Sequence, residues 1–196
     1  MNIKQFYLIV CAGAMAVFFS TAGVCGGVDP AANDPAQHVR QAFSETIIDP
    51  GAMKDLILFI EKTYSRNEGQ YPPVILAYYG ALNVVRAKHA FLPTSKLSNL
   101  SRGLKILDRA VDENPNNLEV RFIRFSALHN PPDVLGIPAR RSEDISLLCR
   151  WLLERDYSIV PLSLQREMID FLLKSKRLTD SQADELTSLQ KELSAP

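Results

Sequence analysis

Apolar residues recur along this chain in threes and fours. Between Pro93 and Pro115, Leu97, Leu100, Leu104, Leu107 and Val111 follow a 3-4-3-4 rhythm. That spacing puts all five on one face of a helix, with Arg102, Lys105 and Arg109 mostly opposite. Ile145, Leu148 and Leu152 repeat the rhythm with Cys149 beside them, Leu164, Met168 and Leu172 do so again, and Leu186, Leu189 and Leu193 form a last stripe. The stretch from Val74 to Val85 is apolar nearly all round, which predicts a central helix buried on most sides. No stretch alternates convincingly as a strand.

The twelve prolines agree with this reading. Asp34-Pro35 and Asp49-Pro50 each pair a capping side chain with a residue suited to the first helical position, where no N–H is needed. Pro72-Pro73, Pro93, Pro115, Pro131-Pro132, Pro138 and Pro161 bound the other segments. Thr179 and Gln182 read as a capping box opening the final helix. Pattern and punctuation together predict helices near 35–46, 50–64, 72–91, 94–113, 117–129, 142–155 and 162–176, and a shorter one near 180–193. Gly80 and Gly103 fall inside two of them at a cost of about 1 kcal/mol each, for which close approach of neighbouring helices is the expected compensation.

The N-terminal segment reads differently. Lys4 precedes an apolar run from Phe6 to Phe19, small residues Ser20 to Gly23 follow, and no charge stands between Gln5 and Val28. This order predicts a signal peptide spanning residues 1–27, cleaved between Ala22 and Gly27, and a single helical domain over 28–196. The run is shorter than the roughly 20 residues needed to cross a bilayer, which argues against the alternative of an uncleaved anchor. A lipoprotein anchored through Cys25 is a further alternative, although β-branched Val24 stands where a small residue is usual. The expected location is the periplasm or the extracellular space, with no stable membrane span after cleavage. With Cys11 in the leader and Cys25 at its boundary, Cys149 is the one cysteine certain to remain, so packing rather than an internal disulfide must hold the fold.

Gly103, Leu107, Ala110 and Pro115 resemble the second half of a tetratricopeptide repeat (TPR), in which small residues let paired helices touch and a proline ends the unit. Leu76 and Gly80 supply a first helix, although the step from Gly80 to Gly103 is longer than that repeat has. A further partial unit begins at Leu118, and a non-repetitive α bundle is the competing reading. A broader resemblance rests on Tyr79-Gly80-Ala81, Ala87-Lys88-His89-Ala90-Phe91, Lys96-Leu97, Asp108-Arg109-Ala110-Val111, Asn114-Pro115, Glu119-Val120-Arg121-Phe122-Ile123-Arg124-Phe125 and Pro132 to Gly136. In order and spacing these residues, within roughly 76–145, are similar to a family of exported bacterial all-helical proteins with TPR-like architecture. The chain departs from it at Asp133-Val134, where a bulky aromatic is expected before Leu135-Gly136. The resemblance implies antiparallel, α-solenoid-like hairpins and export; it implies no activity, ligand or catalytic residue.

Composition narrows the function classes. The 196 residues carry 22 basic and 22 acidic side chains, 46% hydrophobic residues and three cysteines. That excludes a disulfide-stapled miniprotein, a disordered charged tail and a polycation built to coat nucleic acid. His38, His89 and His129 have no metal-ligand spacing, Cys149 lies on or near a buried face, and there is no phosphate-binding glycine loop or Gly-x-Ser-x-Gly elbow. Asn99-Leu100-Ser101 fits a glycosylation acceptor formally but falls within a predicted helix. No enzyme activity, metal or cofactor is therefore expected.

Local charge is more informative than the balanced total. Residues 28–85 are net −3, residues 86–124 net +4 and residues 125–196 net −2. Within the basic centre, Arg121 and Arg124 share a helix face, and His89 and Lys96 flank the preceding turn. These residues, with Tyr78 and Tyr79, are the candidate partner-binding set on a concave helical face. The competing reading pairs the two arginines with Asp108, Asp112, Glu119 or Asp144 to tie helices together. The loop Asn130 to Pro138 is read as a clamp over the hairpin rather than an exposed docking tip. The expected function is a protein–protein interaction or scaffold module that receives another protein or a peptide segment. The alternative is a binder of a small anionic ligand or acidic peptide tail in a basic interhelical groove.

Overall fold

The computed structural model describes residues 35–194, which form eight α-helices and one 3-10 turn, with no strand among the described residues. The expected leader, Cys11, Cys25 and the Asp34 cap lie outside the described residues. The helices fall into two compact units divided between Asn114 and Pro115. None of the described helices is long and apolar enough to cross a membrane.

The first unit contains α1 (Pro35–Thr46), α2 (Pro50–Tyr64), α3 (Pro73–His89) and α4 (Pro93–Glu113). Asp49 caps α2 as its sequence position predicts, its Oδ1 accepting from the Gly51 N–H at 2.7 Å. Every residue of α3 from Ile75 to Val84 is buried, so the helix that is apolar all round is the centre of this unit. Helix α4 lies antiparallel on it, and Gly80 and Gly103 sit at the contact. A Cβ on Gly80 would stand 2.9 Å from Leu107 Cγ and 3.0 Å from the Leu107 nitrogen; one on Gly103 would stand 2.7 Å from Val84 Cγ2. Both glycines are therefore required by the approach of one helix backbone to the other, which offsets their poor helix propensity.

Two details depart from the expected pattern. Leu100, Leu104, Leu107 and Val111 are buried, but Leu97, the first member of the same stripe, is 55% exposed. Between α2 and α3 the chain makes a 3-10 turn, Glu68–Gln70, opened by Asn67 Oδ1 accepting from the Gly69 N–H at 3.0 Å. Arg109 of α4 donates to the Glu68 carbonyl at 2.7 Å and holds this turn in place.

The second unit contains α5 (Leu118–Ala127), α6 (Ile137–Leu153), α7 (Leu162–Lys174) and α8 (Asp180–Ser194). Its core joins Phe125 of α5 to Ile145, Leu148, Cys149 and Leu152 of α6, Met168, Ile169 and Leu172 of α7, and Leu186 and Leu189 of α8. The α6 stripe is present in full; Leu164 and Leu193, expected in the α7 and α8 stripes, pack against this core only partly buried, and Ile169 joins it from outside those stripes. The α8 capping box is also present: the Thr179 N–H donates to Gln182 Oε1 at 3.0 Å and the Gln182 N–H to Thr179 Oγ1 at 3.3 Å.

Helix α6 begins earlier than its polar pattern suggests. Gly136, at φ 72°, takes the left-handed conformation that lets the chain turn into a helix whose first turn contains Pro138. Ile137 is fully buried while Leu135 remains 47% exposed, so the Pro-rich loop packs through one apolar residue and leaves another in solvent.

Candidate functional site

Arg121 and Arg124, three residues apart on α5, face α6. The Arg124 Nε donates to Asp144 Oδ2 at 2.8 Å and its Nη2 to Asp144 Oδ1 at 2.7 Å, a bidentate pair; the same Nη2 reaches Glu143 Oε2 at 2.9 Å. Arg121 Nη1 donates to Glu143 Oε1 at 2.7 Å and Asp144 Oδ1 at 3.2 Å, and its Nε to the Pro115 carbonyl at 3.0 Å. Asp144 is fully buried, and the two arginines keep 5% and 4% of their exposure. The Arg121 hydrogen bond, joined by that of Arg124, holds the Glu143 carboxyl below its usual range. Burial pushes the Asp144 carboxyl upward against the pull of Arg124 and Arg121. Of the two readings of this arginine pair, the geometry matches the one in which it ties helices together, here α5 to α6. Asp144 is one of the partners the sequence offered; Glu143 is not.

Tyr78 and Tyr79 are each 7% exposed, which does not match an expectation of projecting from a concave face. Tyr78 packs edge-on against Phe43 at 5.3 Å, and Tyr79 against Tyr71 at 5.4 Å. The Tyr79 hydroxyl donates to Glu61 Oε1 at 3.3 Å, and burial followed by the Glu61 charge raises its pKa. Helix α3 is enclosed on so many sides that its aromatic residues become packing.

His89 and Lys96 are both partly exposed and flank the α3–α4 turn. His89 Nε2 lies 3.1 Å from the Thr46 carbonyl oxygen, which only accepts, so Nε2 carries the proton. Lys88 Nζ donates to the Ile47 carbonyl at 2.9 Å. These two bonds bring the α1–α2 turn to the end of α3. Large apolar side chains stand exposed at this end: Phe91 at 86%, Ile48 at 79% and Leu92 at 56%. From Arg86 to Leu97 the chain carries cations and no carboxylate. The sequence signal was Phe91-Leu92 immediately before a proline, at a helix boundary where no partner within the hairpin can cover them.

A cleft of about 360 Å³ opens in the second unit. It is lined by Asp133, by Arg141 and Ser142 from the first turns of α6, by Arg177 from the α7–α8 connection, and by Thr179 and Gln182 from the start of α8. Lys176, at φ 55°, reverses the chain after α7 so that Arg177 returns to the end of α5. There Arg177 Nη2 donates to the His129 carbonyl at 3.0 Å, and Arg141 Nη1 donates to the same oxygen at 3.3 Å. Arg141 also donates to the Leu128 carbonyl at 3.3 Å and to Asp133 Oδ1. Arg177 Nε donates to His129 Nδ1 at 3.3 Å, which requires an unprotonated Nδ1 because a guanidinium only donates. Burial, then the Arg177 and Arg141 charges, lowers the His129 pKa. Arg141 stands 12 residues and Arg177 48 residues from His129, separations that no spacing signal marks.

His38 lies against Phe59 with ring centroids 4.3 Å apart. Cys149 is buried, and burial followed by the Glu185 charge pushes its thiol up to about 11. Among the described residues no three His, Cys, Asp or Glu side chains cluster as metal ligands do. Compared with family models, with curated proteins and with solved structures, this chain has no match.

Proposed function

We propose that this protein is an exported, TPR-like helical scaffold that binds another protein, and that its docking surface is the end of the first unit formed by Ile48, Phe91 and Leu92. Export rests on the N-terminal pattern of Lys4, the apolar run and the small residues after it. The TPR-like reading draws support from the antiparallel α3–α4 hairpin with glycines at its crossing. The observation that carries the binding site is the exposure of Phe91, Ile48 and Leu92 at one end, where hydrogen bonds from Lys88 and His89 hold the α1–α2 turn. Exposed apolar clusters rimmed by polar residues are a common form of protein-binding surface. Arg86, Lys88, His89 and Lys96 lie on the α3–α4 side of that rim and the exposed Glu45 and Asp49 on the Ile48 side, so the partner segment this end fits is apolar with charges of both signs beside it.

A photo-crosslinking phenylalanine analogue placed at position 91 tests the reading, with Lys62 at the far end of α2 as the control position. The expected result in cells is a discrete protein adduct from position 91 that is absent from position 62, mapping to an apolar segment flanked by charged side chains. No adduct, or the same adducts from both positions, overturns it. The double substitution Phe91→Ser with Leu92→Ser is expected to abolish partner capture while leaving the thermal midpoint within a few degrees, since Phe91 is almost wholly and Leu92 more than half in solvent.

A further inference from the structure

We propose that the cleft between α6 and the start of α8 binds the oxyanion head of a small organic molecule, a carboxylate or a phosphate, through Arg177 and Arg141. All the residues of this cleft belong to the second unit.

One carbonyl brings the two arginines together. The end of a helix leaves its last carbonyls without partners, and a cation there is favourable. Arg141 satisfies the Leu128 carbonyl that caps α5, and two guanidiniums converge on the next carbonyl, that of His129. Arg141 Nη1 and Arg177 Nη2 both donate to the His129 oxygen, so two positive side chains are held side by side on one neutral acceptor. Like charges so placed repel, and an anion brought to them would relieve that repulsion. The cleft lining offers one carboxylate, Asp133, which is bonded to Arg141. Arg177 makes no ion pair among the described residues. Burial, with the Arg141 charge beside it, lowers the Arg177 pKa, which Asp133 only partly opposes.

The rest of the lining suits an oxyanion with a polar body. Gln182 uses its Oε1 in the capping box, which leaves its amide NH2 group as a donor. Ser142 contributes a hydroxyl, and its carbonyl already accepts from Ser146. A guanidinium, an amide NH2 and a hydroxyl are the donors that bind carboxylate or phosphate oxygens. The volume, about 360 Å³, exceeds what a bare ion fills and falls at the low end of small-molecule sites. Early residues of α6 and α8 line this cleft, and the positive ends of their dipoles favour an anion there, opposed in part by the Asp180 carboxylate in the first turn of α8.

The test uses the protein with three probes, inorganic phosphate, glycerol 3-phosphate and glutarate, each against sodium chloride at matched ionic strength. The expected result is a saturable rise in thermal midpoint and a calorimetric binding isotherm with at least one probe and none with chloride. Strength with glycerol 3-phosphate or with glutarate distinguishes the phosphate from the carboxylate source. Arg177→Gln, at an exposed position, is expected to weaken the best probe at least about tenfold, the loss of one charge-assisted contact. Arg177→Lys is expected to fall between the two. Should Arg177→Gln prove unstable, Ser142→Ala carries the same comparison, and the Gln182 side-chain amide resonance must move on titration of the unmodified protein. A response no larger than that to chloride, or an unchanged response in Arg177→Gln, overturns the proposal.

Discussion

Gly103 lies directly against the backbone of Gly80: a Cβ added to Gly103 would stand 2.9 Å from the Gly80 carbonyl oxygen. Backbone cannot step aside as the end of a side chain can. Alanine at position 103 gains about 1 kcal/mol of helix propensity, but overpacking two helix backbones costs more. Gly103→Ala is therefore expected to destabilise the protein by about 1–2 kcal/mol in urea denaturation, with Gly80→Ala following the same direction. Gly51→Ala, where the new Cβ would meet only the Asp49 carboxylate at 3.1 Å, is the control and should change stability by about 0.5 kcal/mol or less.

The α5–α6 ion cluster separates two kinds of charge loss. Arg124→Ala leaves the fully buried Asp144 with an incomplete partner set, and a loss of about 3–5 kcal/mol is expected. Glu143, whose side chain is 53% exposed, is the weaker member, and Glu143→Gln should cost about 1 kcal/mol or less at neutral pH. Its folded pKa is depressed, so its contribution is complete above its ordinary 4.5 and is lost as the pH falls through the folded value. The difference in stability between the unmodified protein and Glu143→Gln should accordingly vanish in acid, measured by denaturation at a series of pH values.

His129 gives a second pH dependence with a different range. Its imidazole is enclosed by Phe125 and Phe171 and faces Arg177 and Arg141, with Asp133 bonded to Arg141. Folding lowers its pKa below the ordinary 6.5, so the neutral ring stabilises the fold above that value and the benefit is lost as the pH falls through the folded pKa. Protonation also removes the Nδ1 acceptor of Arg177. The thermal midpoint should fall on acidification below pH 6.5, and His129→Gln should flatten that part of the profile.

Cys149 is expected to be inert in the folded protein. Its thiol is 4% exposed and pushed up to about 11, so little thiolate exists near neutrality. Alkylation of the Cys149 peptide, followed by mass spectrometry across a urea series, should track global unfolding. Labelling in native buffer would instead place that helix face in solvent.

Where the sequence carried local information, the elements were legible. The Asp49 cap, the Thr179–Gln182 box and the stripes of α4 and α6 to α8 depend on residues within a turn or two of one another. Leu97 departs because periodicity tells which face a residue occupies, and not how far along the helix its neighbour extends. The early start of α6 was hidden by a left-handed glycine and a proline, two residues usually read as loop. The sites were harder. Arg121 and Arg124 look like a surface pair until Glu143 and Asp144, about twenty residues away, close over them. Tyr78 and Tyr79 look presentable because tyrosine is amphipathic, yet the burial of all of α3 absorbs their rings. Arg141 and Arg177 meet only through a carbonyl on a third segment, a relationship no spacing rule contains.

The buried carboxylate of Asp144 has a consequence for how α5 and α6 find each other. Leucine stripes tolerate sliding, because one apolar side chain replaces another along the groove. A slip of one helical turn, about 5.4 Å, would leave Asp144 buried against apolar atoms and strand two guanidiniums without acceptors. The ion cluster therefore acts as an index mark that permits one axial alignment of the hairpin, and the misaligned pairings are excluded by charge rather than by shape.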